Sequence, residues 1–308
     1  VPPSDDTDAS IARLLVLKAM PLFADVHPDE LAAVAEHTHL HTFEAGERLF
    51  SGTEKPVSTI HLVMEGRVTE HRGGRPFRSH GPQHVLGGLD ALALSETDVV
   101  AVADEYTRTV AIERTALRDI LEDNFGLLST TLQGVAAATL RLRRRLPAAG
   151  FGEPSLHDHA PDGADDLASR MAFLRRHTWL GHLRVRTLGQ LAHDAVVLAP
   201  RAAHHLWAGG DTAEHAVVIV RGTVTCSIDG AVTWNVGPGT VLGLEETLAL
   251  EPRWGAADAA ADTALLSITR TQLIDALEDD PDAAVGLLGG LATVASTLRD
   301  RVAGGETP

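Results

Sequence analysis

Cysteine is almost absent from this 308-residue chain, with Cys226 the single example. One thiol excludes an internal disulfide framework and fits a reducing compartment, so a cytoplasmic location is expected. Aromatic residues make up only 4% of the sequence, which leaves little material for base-stacking platforms. Positive charge is also short: 26 Lys and Arg stand against 42 Asp and Glu, a formal net charge of −16. Phosphate contacts supply most nucleic-acid affinity, so no nucleic-acid partner is expected. No apolar run reaches the roughly 18 residues of a membrane span, and the opening VPPSDDTDAS lacks the pattern of a secretory signal. Gly-x-Ser-x-Gly, phosphate-loop and Rossmann fingerprints are missing as well. Nucleophilic and nucleoside-triphosphate chemistry therefore have no anchor, and the chain is not expected to be an enzyme.

What the sequence does have is a repeat, read at an offset of 156 residues. Phe23 meets Trp179, and Gly66 meets Gly222 in Val-Met-Glu-Gly-Arg-Val against Ile-Val-Arg-Gly-Thr-Val. Gly81-Pro82 meets Gly237-Pro238, and Leu86-Gly87 meets Leu242-Gly243. The longest match sets Ile112, Arg114, Thr115, Leu117 and Asp119 against Ile268, Arg270, Thr271, Leu273 and Asp275. Between the copies, Leu146 to Asp166 is rich in Pro, Gly and Asp and reads as a flexible linker. The expected domains are therefore 10–145 and 167–302, joined by 146–166.

Each copy opens helically, as in Pro28-Asp-Glu-Leu-Ala-Ala-Val-Ala-Glu. Short alternating runs follow, among them Thr59-Ile-His-Leu-Val-Met and Ala216-Val-Val-Ile-Val, separated by glycine turns. A closing strand and a long helix end each copy. Many short strands between turns predict a sandwich or barrel, and the economical solution is two tandem eight-stranded jelly rolls with flanking helices.

This order resembles the cyclic-nucleotide-binding domain of catabolite-activator-type regulators and kinase regulatory subunits. The resemblance is carried by Leu22-Phe-Ala-Asp-Val26, by Glu44-Ala-Gly-Glu-Arg-Leu-Phe50, by Ile60-His-Leu-Val-Met-Glu-Gly-Arg-Val68, and by Val217 to Val224 with the Gly209-Gly210-Asp211 turn. It implies a non-catalytic regulatory protein whose ligand is cyclic AMP or cyclic GMP and whose closing helices signal to a protein partner. Such domains hold the ligand in a phosphate cassette. A short helix N-terminus and an arginine face the phosphate, and a glutamate accepts from the ribose.

Copy one reads Leu86-Gly87-Gly88-Leu89-Asp90, with Gly88 at the glutamate position and Thr97 at the arginine position. Losing both charged groups predicts a degenerate site. Copy two reads Leu242-Gly243-Leu244-Glu245-Glu246, then Glu251-Pro252-Arg253-Trp254. The expected ligand contacts are Leu242, Gly243, Glu245 or Glu246 after a short register shift, Arg253 and Trp254. The alternative for Arg253 is a surface arginine paired with Glu251. Ligand binding is thus expected in copy two only and in weakened form, and a ligand-independent scaffold is the alternative.

The 16 histidines raise the question of a metal. His37, His39 and His41 alternate and would share a strand face, but a solvated strand edge is the expected reading, and no metal is expected. His157 and His159 fall in the linker. A metal-dependent jelly-roll enzyme requires inward histidines and a carboxylate, and that set is not apparent in either copy. A transcription regulator usually adds a helix-turn-helix after the closing helix, where only Ala303 to Pro308 remains. Arg141, Arg143, Arg144 and Arg145 close a predicted helix and are expected to face solvent. The apolar closing helices, Leu127 to Leu142 and Leu287 to Leu298, could pair the copies within a chain or across a homodimer. Cys226 is read as a small core residue.

Overall fold

Short alternating runs closed by glycine turns become strands in both halves. The computed structural model describes residues 18, 28–53, 56–93, 97–146, 166–230 and 232–303. The expectations for Leu22 to Val26, for His157 and His159, and for most of the linker lie outside these residues. Copy one builds β1 (Thr38–Phe43), β2 (Arg48–Ser51), β3 (Thr59–Glu65), β4 (Val68–Arg72), β5 (Arg75–His80), β6 (Val85–Leu86), β7 (Val99–Ala103) and β8 (Thr107–Glu113). Copy two builds β9 (Val196–Leu198), β10 (His204–Trp207), β11 (His215–Arg221), β12 (Val224–Ile228), β13 (Val232–Val236), β14 (Val241–Leu242), β15 (Ala256–Ala259) and β16 (Ala264–Thr269).

The strands form two four-stranded sheets per copy, β1-β8-β3-β6 with β2-β7-β4-β5, and β9-β16-β11-β14 with β10-β15-β12-β13. This is the strand order of a jelly roll. In copy two the sheets pack face to face, because one buried cluster draws Val217, Ile219 and Leu265 from the first sheet and Trp207, Val224 and Ala257 from the second. The expected strands and turns are present in both halves.

The hydrogen-bond register refines the repeat. From the third strand onward the offset is 156: His61 pairs with Leu86 as Val217 pairs with Leu242, and both copies carry a bulge at Val63/Glu65 and Ile219/Arg221. In the first two strands it is 157. His41 lies opposite Thr109 where Leu198 lies opposite Leu265, and Phe50 lies opposite Ala101 where Trp207 lies opposite Ala257. A single constant offset is therefore corrected to two, the difference arising in the loop between the second and third strands.

Gly66 and Gly222 show why the turn between the third and fourth strands is fixed. Their φ angles are +91° and +85°, and a Cβ at either would collide with Thr107 or Thr263 across the sheet. Those threonines are fully buried and reach the backbone oxygens of Arg67 and Thr223, each at 3.2 Å. Glycine alone suits both the left-handed backbone and the close approach.

The described helices are α1 (Pro28–Glu36), α2 (Gly88–Ala93), α3 (Arg114–Asp123), α4 (Phe125–Arg143), α5 (Leu167–His177), α6 (Val185–Asp194), α7 (Leu244–Ala249), α8 (Arg270–Glu278) and α9 (Pro281–Ala303). α8 starts on a capping box, in which Thr269 Oγ1 accepts from the Gln272 N–H at 3.2 Å and Gln272 Oε1 accepts from the Thr269 N–H at 2.8 Å. α3 has Glu113 at the capping position and no side-chain cap.

The chain divides into two compact units. Unit 1 holds residues 1–131 and 288–297, and unit 2 holds 132–287 and 298–308. The division follows the repeats through the sandwiches and departs from them in the closing helices α4 and α9. The apolar stripes of these helices, Leu128, Leu132 and Leu140 in α4 and Ala284, Leu288, Ala292 and Ala295 in α9, are buried within the chain. α9 has the length and apolarity of a membrane span, and half of its apolar window is buried in the protein.

Candidate functional site

In unit 2 the cassette is the turn from β14 into α7. Leu242 ends β14 opposite Val217 and packs on the core cluster. Gly243 follows with φ +78°, and a Cβ there would overlap Arg253 Nη1. Arg253 is 2% exposed, so it is not a surface residue, and Glu251 pairs with Arg144 instead. Its Nη1 donates to Gly243 O at 3.1 Å, its Nη2 donates to His215 O, and its guanidinium carbon lies 4.0 Å from the centroid of the Trp207 ring. Its Nε is buried without a hydrogen bond. The His215 ring stands edge-on to Trp207 at 5.8 Å, and burial first, then the Arg253 charge, holds it below the usual imidazole range. Arg253 is thus committed to two backbone carbonyls and one indole face.

The carboxylates are committed as well. Glu245 Oε1 accepts from Arg143 Nη2 at 2.9 Å, and Glu251 Oε2 lies 2.8 Å from Arg144 Nη2. Arg143 and Arg144 therefore do not simply face solvent as expected; the end of α4 and the turn after it belong to unit 2. Burial, then the neighbouring Glu245, raises the Glu246 carboxyl above the usual carboxylate range. Trp254 is half-buried beside Arg253, with its backbone oxygen close to Gly209.

Unit 1 builds its cassette differently. Gly87 keeps the left-handed turn at φ +73°, with Val57 and Phe50 beside its Cα, and Gly88 opens α2. Thr97 stands at the position of Arg253, packed on Gly52, and its buried Oγ1 makes no hydrogen bond. Asp90, fully buried in α2, accepts from Ser296 Oγ at 3.0 Å, so residues 288–297 of α9 complete this unit. Among the described residues of this cassette Thr97, not a cation, aligns with Arg253.

The interior of each sandwich adds a contrast that the residue matching missed. The cluster filling unit 2 includes Leu198, Val217, Cys226, Trp234, Val236 and Leu265. By register, their counterparts in unit 1 are His41, His61, Glu70, Arg78, His80 and Thr109. His61, Glu70 and Thr109 are thus buried in copy one where copy two buries Val217, Cys226 and Leu265, whereas His41 stays exposed on the edge strand. His61 is 2% exposed and its Nδ1 lies 3.1 Å from Thr109 Oγ1. Its ring packs edge-on against His41 and Phe43 and stacks on Phe50 at centroid distances of 5.7–6.4 Å. Glu70 is 4% exposed, with His80 Nε2 at 3.2 Å from its Oε2. Among the described residues no group of three His, Cys, Asp or Glu is placed to hold a metal ion. His39 and His41 lie exposed on β1, an edge strand, as the sequence suggested. Cys226 is buried, and burial pushes its thiol up to about 12.

No family model matches the chain, and no curated protein does. Solved structures are similar at low identity. The regulatory subunit of a cAMP-independent protein kinase A from Trypanosoma brucei is 15% identical, with 88% of each chain covered and a TM-score of 0.36. The regulatory domain of Toxoplasma gondii PKA, in a co-crystal with cAMP, is 14% identical over 93% of this chain and 97% of that one, with a TM-score of 0.35. A cyclic nucleotide-binding-like protein from Brucella abortus is 26% identical over 36% of this chain and 98% of that one, with a TM-score of 0.31. At scores this low the fold assignment rests on the chain's own strand order, register and paired glycines.

Proposed function

We propose that this chain is a non-catalytic, cytoplasmic regulatory adaptor built from two cyclic-nucleotide-binding-like repeats, and that its second cassette holds its shape without a cyclic nucleotide. One observation carries this reading: Arg253 is turned away from solvent onto Gly243 O and His215 O beneath Trp207. A phosphate-binding arginine presents its fork to the ligand. Here recruiting a phosphate would strip His215 O of its arginine donor, while Gly243 O would keep the Thr247 N–H and Oγ1 at 3.1 and 2.7 Å. A buried polar group left unpaired costs about 1–3 kcal/mol. Glu246 beside the site adds repulsion to any anion when ionised. In unit 1 no arginine stands in the cassette, which supports the same conclusion there. The protein then acts by presenting its surfaces to a protein partner, with a homodimer through the closing helices as one form of that partnership.

The second reading is a weakened sensor, in which Arg253 swings out to meet cyclic AMP or cyclic GMP. The unbonded Nε of Arg253 favours it. Calorimetric titration of the full chain with cyclic AMP, cyclic GMP and a cyclic dinucleotide separates the two. The adaptor reading expects no saturable heat at millimolar ligand. Saturable binding that Arg253→Lys weakens at least tenfold, in protein whose thermal transition is unchanged, would establish the sensor instead.

A further inference from the structure

Unit 1 buries ionisable groups where unit 2 buries hydrocarbon, and these groups are already partnered. His80 meets Glu70 and His61 meets Thr109. A polar interior of this kind is sensitive to whatever changes the charge of its members. We propose that the sandwich of unit 1 is an acid-sensitive element, which loosens as pH falls from neutral toward 5 by more than the sandwich of unit 2.

His61 is the group that carries the response. It sits on β3, with Thr109 of β8 on one side, Leu86 of β6 on the other, and Phe50 of β2 stacked on its ring. The ionisable neighbours from the elements around it are His41 on β1 and, on the inward positions of the opposite sheet, Glu70 on β4 with Arg78 and His80 on β5. Burial, then the charge of His41, lowers the His61 imidazole from 6.5 to about 4. The folded sandwich therefore holds His61 neutral, whereas the unfolded chain protonates it below about pH 6.5. Between 6.5 and 4 the unfolded state binds more protons, so stability falls as pH falls across that window. Each pH unit there lowers the folding constant of unit 1 by up to about tenfold. In unit 2 the matching position is Val217, fully buried and unable to titrate. The half-buried His215 beside the cassette, also lowered, acts in the same direction as His61, and the raised Glu246 carboxyl acts against it. The inference does not depend on whether either cassette binds a nucleotide.

The test uses the full chain at pH 7.5, 6.5, 5.5 and 5.0, with hydrogen exchange read by mass spectrometry and corrected for intrinsic rate. Protection in 59–65 and 107–113 is expected to fall by roughly thirtyfold between pH 7.5 and 5.0, and by clearly less in 215–221 and 264–269. All four tryptophans, Trp179, Trp207, Trp234 and Trp254, lie in unit 2, so steady tryptophan emission over the same range is an independent control. The variant His61→Val/Thr109→Leu installs the residues that unit 2 already carries and is expected to abolish most of the acid loss. If that variant does not fold, His41→Val removes the nearby charge and is expected to shrink the loss. Equal loss of protection in both units, or an acid loss unchanged in the variant that folds, overturns the proposal.

Discussion

Two sandwiches with the same strand order are filled differently. Of the thirteen residues that form or pack on the core cluster of unit 2, six are replaced in unit 1 by His41, His61, Glu70, Arg78, His80 and Thr109. The other seven positions remain apolar, including Phe50 against Trp207 and Ala101 against Ala257. Strand order and register thus tolerate polar residues at nearly half of these positions, with His61, Glu70 and Thr109 buried and His41 exposed at the sheet edge, provided each buried polar group finds a partner. The cassettes differ in the opposite sense. Unit 2 buries its one critical charge there, in Arg253, while unit 1 has Thr97 and needs no counter-donor. Each unit places its electrostatic risk where the other is neutral.

The sharpest way to break this contrast is at the paired cassette glycines. Gly243→Ala forces a left-handed backbone on alanine and drives its Cβ into Arg253, so unit 2 should lose at least about 3 kcal/mol. Gly87→Ala meets the backbone penalty and approaches of 3.0 Å to Val57 Cγ1 and 3.2 Å to Thr59 O, with no overlap as short as that at Gly243, so unit 1 should lose about 1–3 kcal/mol. Urea unfolding followed by tryptophan emission reads unit 2 alone and should respond to the first variant, with hydrogen exchange needed for the second. Equal losses at the two glycines would mean that Arg253 does not occupy the position described.

Removing the residues across from those glycines comes next in size. Arg253→Ala removes the arginine donor from His215 O, while Gly243 O keeps Thr247 N–H and Oγ1, and should cost unit 2 about 1–3 kcal/mol. Thr97→Val in unit 1 deletes a buried hydroxyl that bonds to nothing and should be neutral or slightly stabilising. The pair of melting temperatures measures this directly. A large loss from Thr97→Val would point to a partner for its hydroxyl and weaken the comparison.

Cys226 offers a gentler probe of the apolar interior. Its thiol is buried and held neutral up to about 12, and it is the only cysteine in the chain. Reaction with a disulfide reagent at pH 7 should therefore be slow and should track the opening of unit 2. Gly243→Ala should accelerate it in proportion to the lost stability, whereas His61→Val should leave it unchanged. Fast labelling of the unmodified protein would show that the core of unit 2 is open.

Much of the fold was legible because glycine turns and closing strands survive in both halves as identities. Gly66 with Gly222 and Leu86-Gly87 with Leu242-Gly243 are positions at which geometry permits little else. The one-residue change of offset in the first two strands was hard to read, since within those strands only Leu49 with Leu206 remains as an identity to register it. The polar interior was hidden for a related reason. In Val68-Thr-Glu-His-Arg72 polar residues fall on both faces, so alternation alone cannot tell inside from outside. The carbonyl and indole partners of Arg253 lie far along the chain, at His215 and Trp207, and the Arg143 and Arg144 pairs with Glu245 and Glu251 are more distant still. Local composition suggested a solvated helix end, and tertiary packing decided otherwise. Reading the repeat for its differences at inward strand positions, as well as for its identities, was the available signal.

The smallest expected effect lies where closing strand passes into helix. Thr269 and Gln272 form a reciprocal cap on α8, and Gln272 Nε2 also donates to Asp194 O at 2.8 Å, which ties α6 to α8. Thr269→Ala should destabilise unit 2 by about 1 kcal/mol. In unit 1 the aligned residues are Glu113 and Ala116, and α3 has no side-chain cap. Glu113→Thr with Ala116→Gln would supply the missing box and should add about 0.5–1 kcal/mol. That gain is reduced by loss of the 3.0 Å hydrogen bond from Thr59 to Glu113, which is exposed and contributes little. Thermal unfolding of the double variant should therefore show a small upward shift confined to unit 1. A downward shift would mean that the Thr59–Glu113 pairing, rather than a cap, is what anchors the start of this helix.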